Sequence, residues 1–220
     1  MNYTNNDFLV LSKEQEDCLD NLRQTIERRM CSELYQHSVG TLNYAIKLAS
    51  LYFPKFLPNE HYNRLKQLFY KLCVSCIIHD YGKMFEYSVL FKIAIDEKLN
   101  LSDFELNCKH IIHGFVTPFL VERDFGIDDT EMHQAIKCHT IGSYNMNLID
   151  KLLYISDKVE ETRNYEGIED LRKLSINNLN LCLLEVYKSN IIYVITRNNY
   201  LHPDTGKIWN YICGGLKNAI

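Results

Sequence analysis

Leu72-Cys73-Val74-Ser75-Cys76-Ile77-Ile78-His79-Asp80-Tyr81-Gly82-Lys83 is the stretch on which the reading of this chain turns. An uncharged, largely apolar run ends in an adjacent His and Asp, and Gly82 is a good residue for closing a helix. At such an end both side chains can turn toward one point where the backbone bends. A buried, unpaired Asp there is costly, so a cation partner is expected. Taken alone, the pair is equally an ordinary capping Asp beside a surface His. Cys73 and Cys76 have the spacing of a redox or metal pair, but no second such pair exists and the apolar run favours core packing.

Outward from that stretch the pattern is helical. Nine Gly and four Pro punctuate 220 residues, which favours helices joined by short loops. Residues 1–11 read as a loose N-terminus and 13–30 as one helix. A second helix covers about 32–53, with Leu34, Leu42, Ala45, Ile46, Ala49 and Tyr52 near one stripe, and Pro54 and Pro58 ending it. A third covers about 61–79. Residues 84–109 read as short pieces and loop, followed by a helix over 112–125 closed by Gly126. Asp128, Asp129 and Thr130 offer N-caps for a short helix to about Cys138. A loop over 139–146 leads into an apolar helix over 147–162, and helices are expected at 168–175, 177–198 and 206–217. Alternating strand patterns are nearly absent, so the fold class is all-α.

Composition excludes several classes of function. The chain is 46% hydrophobic and 24% charged, as in an ordinary globule. Its 24 Lys and Arg against 28 Asp and Glu give a net charge of -4, which argues against a broad nucleic-acid footprint. No apolar run approaches the roughly 18 residues of a membrane span, and the start lacks the features of an export signal. The expectation is a cytoplasmic protein whose eight cysteines are reduced and mostly buried.

Eight histidines in an acidic chain invite a search for metal ligands, because imidazole and carboxylate together suit transition metals. His37 lies among apolar residues, His113 precedes Gly114 near a helix start, and His139 sits at a helix end. Asp157 falls inside an apolar run where a solvated carboxylate is not expected. Each singly reads as a satisfied core residue; together with His79 and Asp80 they read as a cluster.

The order His37, His79-Asp80, His113, His139, Asp157 resembles the signature of HD-domain phosphohydrolases. His79-Asp80-Tyr81-Gly82-Lys83, His139-Thr140-x-Gly142, Asp157-x-x-Glu160-x-x-Arg163 and His202-Pro203-Asp204-Thr205 are similar to the YqeK family of bacterial HD proteins, over about residues 34 to 212. The resemblance implies an HD-domain helical bundle over 31–220 behind an N-terminal extension, 1–30, and a buried dinuclear metal site. It implies symmetrical cleavage of diadenosine tetraphosphate into two ADP by a metal-activated hydroxide, with two divalent or trivalent transition-metal ions, iron by analogy. Carried over by position, one ion is held by His37, His79, Asp80 and Asp157. The other takes Asp80 as a bridge with His113 and His139. Two such ions can clamp the attacking and leaving oxygens of an in-line phosphoryl transfer. Lys83 and Arg163 would neutralise charge on the polyphosphate. Tyr81, Gly82, Thr140 and the Tyr200, Leu201, His202, Pro203, Asp204, Thr205 loop would contact the nucleotide, and a homodimer is compatible with the pattern.

Nearby residues compete for these roles. His110 reads as surface or supporting, His133 and His61 as solvated, and Asp150 as a charge favourable at a helix N-terminus. Glu160 or Glu161 either orients a ligand His or faces solvent. Members of the family carry Arg where this chain has Leu34, and Pro where it has Phe115. The missing Arg contact is either lost or supplied by Arg28 or Arg29, and substrate range is the property it touches. Two other readings follow: an HD enzyme for another nucleotide, such as a deoxynucleoside monophosphate or guanosine polyphosphate, and a non-catalytic nucleotide-binding adaptor. The adaptor would be expected to have lost ligands or Lys83, and this chain retains them.

Overall fold

The structure, a computed structural model, describes residues 9–56 and 62–217. These form helices α1 (Lys13–Arg29), α2 (Ser32–Phe56), α3 (Tyr62–Ile78), α4 (Tyr87–Asp96), α5 (Asp103–Asn107), α6 (Ile112–Phe125), α7 (Thr130–Ile141), α8 (Leu148–Val159), α9 (Ile168–Asn177), α10 (Leu179–Thr196) and α11 (Thr205–Lys217). A 3-10 turn, Tyr81–Met84, follows α3. No strand occurs among the described residues, so the all-α expectation holds.

The second half of α3 and most of α8 form the centre, buried on nearly every side, as interior helical segments must be. Leu72 to Ile78 at the end of α3 are all buried. In α8 Ile149, Leu152, Leu153, Tyr154, Ile155 and Val159 are buried together with Ser156 and Asp157. Helix α2 packs on both, α7 lies against α3 and α8, and α6 packs on α7 and the 3-10 turn. Local chemistry sets the starts of these helices. Asn147 caps α8 in a reciprocal box with Asp150, whose N–H it accepts at 3.1 Å, and Asp129 caps α7 through the N–H groups of Glu131 and Met132. Asp150 is thus the helix-start charge expected, although it is fully buried.

Several boundaries differ from the expectation. Helix α2 continues through Pro54 to Phe56. A proline near a helix end removes only one backbone bond, and the chain completes the turn. His61 and Pro58 lie outside the described residues. Residues 84–109 hold two helices, α4 and α5, the second started by a Ser102–Glu105 capping box. Helix α7 runs to Ile141, so His139 stands inside a helix rather than opening a loop. Helix α8 ends at Val159, short of Thr162. Leu9 and Leu11 are buried, so this part of the N-terminus is packed rather than loose. Helix α1 buries Leu19, Leu22 and Ile26 in the same core cluster as α3 and α8. Among the described residues no helix is long and apolar enough to cross a membrane.

A charge cluster pins the start of α7 to α3. Lys71 Nζ lies 2.6 Å from Asp129 Oδ2 and 2.7 Å from Glu131 Oε2, and Arg64 also pairs with Glu131. Burial pushes both carboxyls up, but the Lys71 ammonium outweighs it and holds each below its ordinary value. A carboxyl lowered in the folded state stabilises the protein above its unfolded pKa, and that contribution is lost as pH falls through the folded one. The folded chain is therefore expected to lose stability as pH drops below about 4. Urea denaturation across that range should show a shallower pH slope in Lys71→Met; an unchanged slope would remove this cluster as its source.

Candidate metal centre

Six side chains from separate parts of the chain meet where α3 and α8 approach α2, α6 and α7. His37 comes from α2, His79 and Asp80 from the turn after α3, His113 from α6, His139 from α7 and Asp157 from α8. All six are buried, His79 and Asp80 completely. Three sets of potential ligand atoms each lie within 4.8 Å of one another: His37, His79 and Asp80; His79, His139 and Asp157; Asp80, His113 and His139.

Asp80 is the centre of the arrangement. Its Oδ1 faces His139 Nε2 at 3.3 Å and His113 Nε2 at 3.4 Å, and its Oδ2 faces His79 Nε2 at 3.4 Å and His37 Nε2 at 3.7 Å. The two oxygens thus look into two neighbouring positions, as a bridging carboxylate would. Asp157 Oδ1 lies 2.8 Å from His37 Nε2 and 3.8 Å from His79 Nε2.

The rings are aimed by their other nitrogens. His37 Nδ1 donates to Glu160 Oε1 at 3.0 Å. His79 Nδ1 donates to the Cys76 carbonyl at 2.8 Å, and His139 Nδ1 donates to the Ile136 carbonyl. In His79 and His139 this leaves Nε2 turned toward Asp80, the arrangement that fixes the tautomer of a metal-binding imidazole. The His37 Nε2 lies against Asp157, and although burial lowers His37, bonds to Asp157 and Glu160 raise it overall. Burial also drives His113 down and His139 down to about 3, so both stay neutral, as ligands must. Burial pushes the Asp80 carboxyl up, but the adjacent His79, with the His113 and His139 rings facing it, outweighs burial and holds it well below its ordinary value. For Asp157 burial is likewise overcome, first by Lys158 and then by His37.

The donor set fits transition-metal ions. His79 Nε2 and Asp80 Oδ1 are buried without a hydrogen-bond partner among the described residues, which a folded protein tolerates poorly unless something else takes them. Imidazole nitrogen and carboxylate oxygen at these separations suit such an ion at each end of Asp80.

Two glycines make the approach possible. A Cβ on Gly40, one turn after His37, would overlap the Glu160 carboxylate that orients the His37 ring. A Cβ on Gly82 would stand 2.9 Å from the His113 carbonyl oxygen, and the Gly82 N–H donates to Thr117 Oγ1 at 3.0 Å. That contact docks the turn carrying Asp80 directly onto α6.

The other expected residues fall at varied distances from chemistry. Lys83 Nζ binds Asp80 Oδ2 at 2.7 Å, and Arg163 Nη2 binds Asp157 Oδ1 at 2.9 Å. Thr140 follows His139, with its hydroxyl on the Lys137 carbonyl at 3.0 Å. Tyr81 turns its hydroxyl away, to Asp124 at 3.0 Å and Arg29 at 2.8 Å. In the 200–205 loop Tyr200 is exposed, and His202 Nε2 approaches Glu105 Oε1 at 3.4 Å. His110 is exposed, and Glu161 is exposed while Glu160 is buried, which decides between the two. His133 is half-buried and donates to the Ile127 carbonyl at 2.8 Å, so it is not a solvated residue. Cys73 and Cys76 are fully buried, and burial pushes both thiols up, as core residues. Sequence reasoning missed Lys158, whose Nζ binds the His139 carbonyl at 2.7 Å and Asp157 Oδ2 at 2.5 Å. Its only sequence signal is a lysine next to a ligand in a buried helix.

No family model matches the chain. It is 27% identical over 190 residues to a symmetrical bis(5'-nucleosyl)-tetraphosphatase of Bacillus subtilis, covering 86% of this chain and 95% of that protein. A Staphylococcus aureus protein of the same name is 25% identical, with 88% and 93% covered. Among solved structures, one described as a predicted HD superfamily hydrolase involved in NAD metabolism, from Clostridium acetobutylicum, superposes with a TM-score of 0.76 at 28% identity. It covers 89% of this chain and 96% of its own.

Glu160 holds the His37 ring through Nδ1 and also lies 3.7 Å from Arg163 Nε, so Glu160→Gln should keep the helical fold while lowering metal affinity about 10–100-fold. Circular dichroism with chelator competition measures both, and unchanged affinity would remove Glu160 from the orienting role.

Proposed function

We propose that this chain is a metal-dependent hydrolase that cleaves diadenosine tetraphosphate symmetrically into two ADP, with iron as its metal and the cytoplasm as its setting. The carrying observation is the convergence of Asp80 with five other buried ligand-type side chains, in a chain similar over most of its length to symmetrical tetraphosphatases. Bound ions would supply Lewis acidity to the phosphoryl oxygens and lower the pKa of water at the site.

The chain's own residues do the rest. Asp80 offers one oxygen to each position and so sets their separation. Glu160, Cys76 and Ile136 hold three imidazoles in register through Nδ1. Lys83 and Arg163, 41% and 39% exposed, have their charges at the rim, where the polyphosphate would arrive. The planar guanidinium of Arg163 can bind phosphate through two parallel bonds. A cavity of about 450 Å³, lined by Phe115, Lys137, Tyr144, His202 and Asp204 among others, lies along the outer face of α7 beside the 200–205 loop. It is of the size that holds a small ligand, and its lining includes His202 and Asp204 of the loop assigned to the nucleotide. A phosphoanhydride leaves as a weakly basic anion, so cation stabilisation by Lys83 suffices and no dedicated acid is required.

Leu34 stands where an Arg would reach substrate, and it is half-buried against the core. Arg29 does not replace it: its guanidinium is bound to the Tyr81 hydroxyl and lies 5.0 Å over the Phe125 ring. Arg28 is exposed with its Nε on the Gln24 carbonyl at 3.2 Å, so Lys83 and Arg163 are the cations that bond the site's carboxylates and are assigned the phosphates in this reading.

Incubating anaerobic, iron-reconstituted protein with diadenosine tetraphosphate should give ADP as the sole product by chromatography. ATP plus AMP would overturn the symmetrical geometry, and no product from iron-loaded protein would point to another nucleotide. Asp80→Ala should lose both metal and turnover; an active, metal-loaded variant would refute the assignment.

A further inference from the structure

Three cationic side chains, Arg163, Lys83 and Lys158, bond carboxylate oxygens on one half of the metal centre, and none bonds a ligand atom of the other. Arg163 Nη2 sits 2.9 Å from Asp157 Oδ1 and 3.1 Å from His37 Nε2, touching both atoms that would face an ion there. Its Nε is anchored on the Asp157 carbonyl at 3.0 Å, which keeps the guanidinium over this pair. Lys83 Nζ lies 2.7 Å from Asp80 Oδ2, the oxygen that faces His37 and His79. The other half is bare. Asp80 Oδ1, with His113 and His139 around it, is buried without a hydrogen-bond partner among the described residues, and their Nε2 atoms stand 3.3 Å apart.

We infer that the two positions load unequally, because Arg163 and Lys83 occupy the ligand atoms of the His37–Asp157 position until substrate phosphate draws them away. The inference rests on the metal-centre reading above. An ion at Asp80 Oδ1, His113 and His139 displaces no cation, only the 3.3 Å contact between the two Nε2 atoms, and relieves an unpaired carboxylate oxygen. An ion at His37, Asp157 and Asp80 Oδ2 must enter beside Arg163, Lys83 and Lys158, or move the two that stand at the rim. Both cations are more than a third exposed, so both can swing outward. A phosphate group at the rim offers them new partners, and the vacated carboxylate oxygens are then free to bind metal. By linkage, phosphate tightens the second ion and the second ion tightens phosphate by the same factor.

Manganese(II) is the probe, since imidazole and carboxylate bind it without redox change. Titration of the metal-free full chain by chelator competition, with and without inorganic phosphate, is expected to resolve a tight and a weak ion. His139→Gln should abolish the tight one and His37→Gln the weak one. Phosphate should tighten the weak ion by at least about fivefold, and Arg163→Met should tighten it similarly without phosphate and remove most of the phosphate effect. Two equal affinities, a weak ion indifferent to phosphate, or an Arg163→Met protein that binds it no better would overturn the inference. Should Arg163→Met not fold, the phosphate response of the unaltered chain decides alone. Failure to bind manganese at all would overturn the metal-centre reading itself.

Discussion

A carboxylate with no exposed surface is the constraint around which this molecule is arranged. Asp80 lies in the centre of the helical bundle, and an isolated charge there would be costly enough to unfold a domain of ordinary stability. It is held by four histidines and one lysine that reach it from α2, α6, α7 and the turn after α3. Removing any one element would leave the charge exposed to apolar surroundings on that side. Packing of the bundle and formation of the site are therefore one event.

The surrounding design is economical in its use of backbone. His79 and His139 each bond the carbonyl three residues earlier, so the helix that carries the ring also aims it. His37 cannot do this, because it stands well inside α2, and its Nδ1 partner is a side chain from after α8. Glu160 reaches it only because Gly40 has no Cβ, and Thr162 steadies the same carboxylate through its backbone N–H at 2.7 Å. Lys158 ties the last turn of α8 to α7 by bonding Asp157 and the His139 carbonyl together. The metal-facing atoms are thus fixed before any ion arrives.

Charge is distributed unevenly around this rigid set. The interior supplies the neutral imidazoles of His113 and His139 and ionised carboxylates, while two part-exposed cations, Lys83 and Arg163, stand at the rim. With Leu34 apolar and Arg29 committed to Tyr81 and Phe125, anion handling is concentrated in two residues that also neutralise the carboxylates. Substrate recognition and metal retention are then coupled through shared partners rather than through any long-range movement.

From the sequence alone came the helical class and the order of the central helices, while the six ligand-type residues stood out as candidates that the resemblance to HD-domain proteins turned into a ligand set. The physical basis of the candidates was local: an uncharged, largely apolar run from Leu72 to Ile78, and an aspartate at 157 inside an apolar stretch. N-caps at Asp129 and the charge of Asp150 were equally local and equally legible. Which glutamate supports His37, why Gly40 must lack a side chain, and that Lys158 bridges two helices depended on segments over a hundred residues apart or on opposite helices. Nor could periodicity tell that Arg29 is tied to Tyr81, or that Arg163 and Lys83 cover one half of the site and leave the other open. Short-range pattern reports which side chains leave solvent; only the packed tertiary structure decides which of them then face each other.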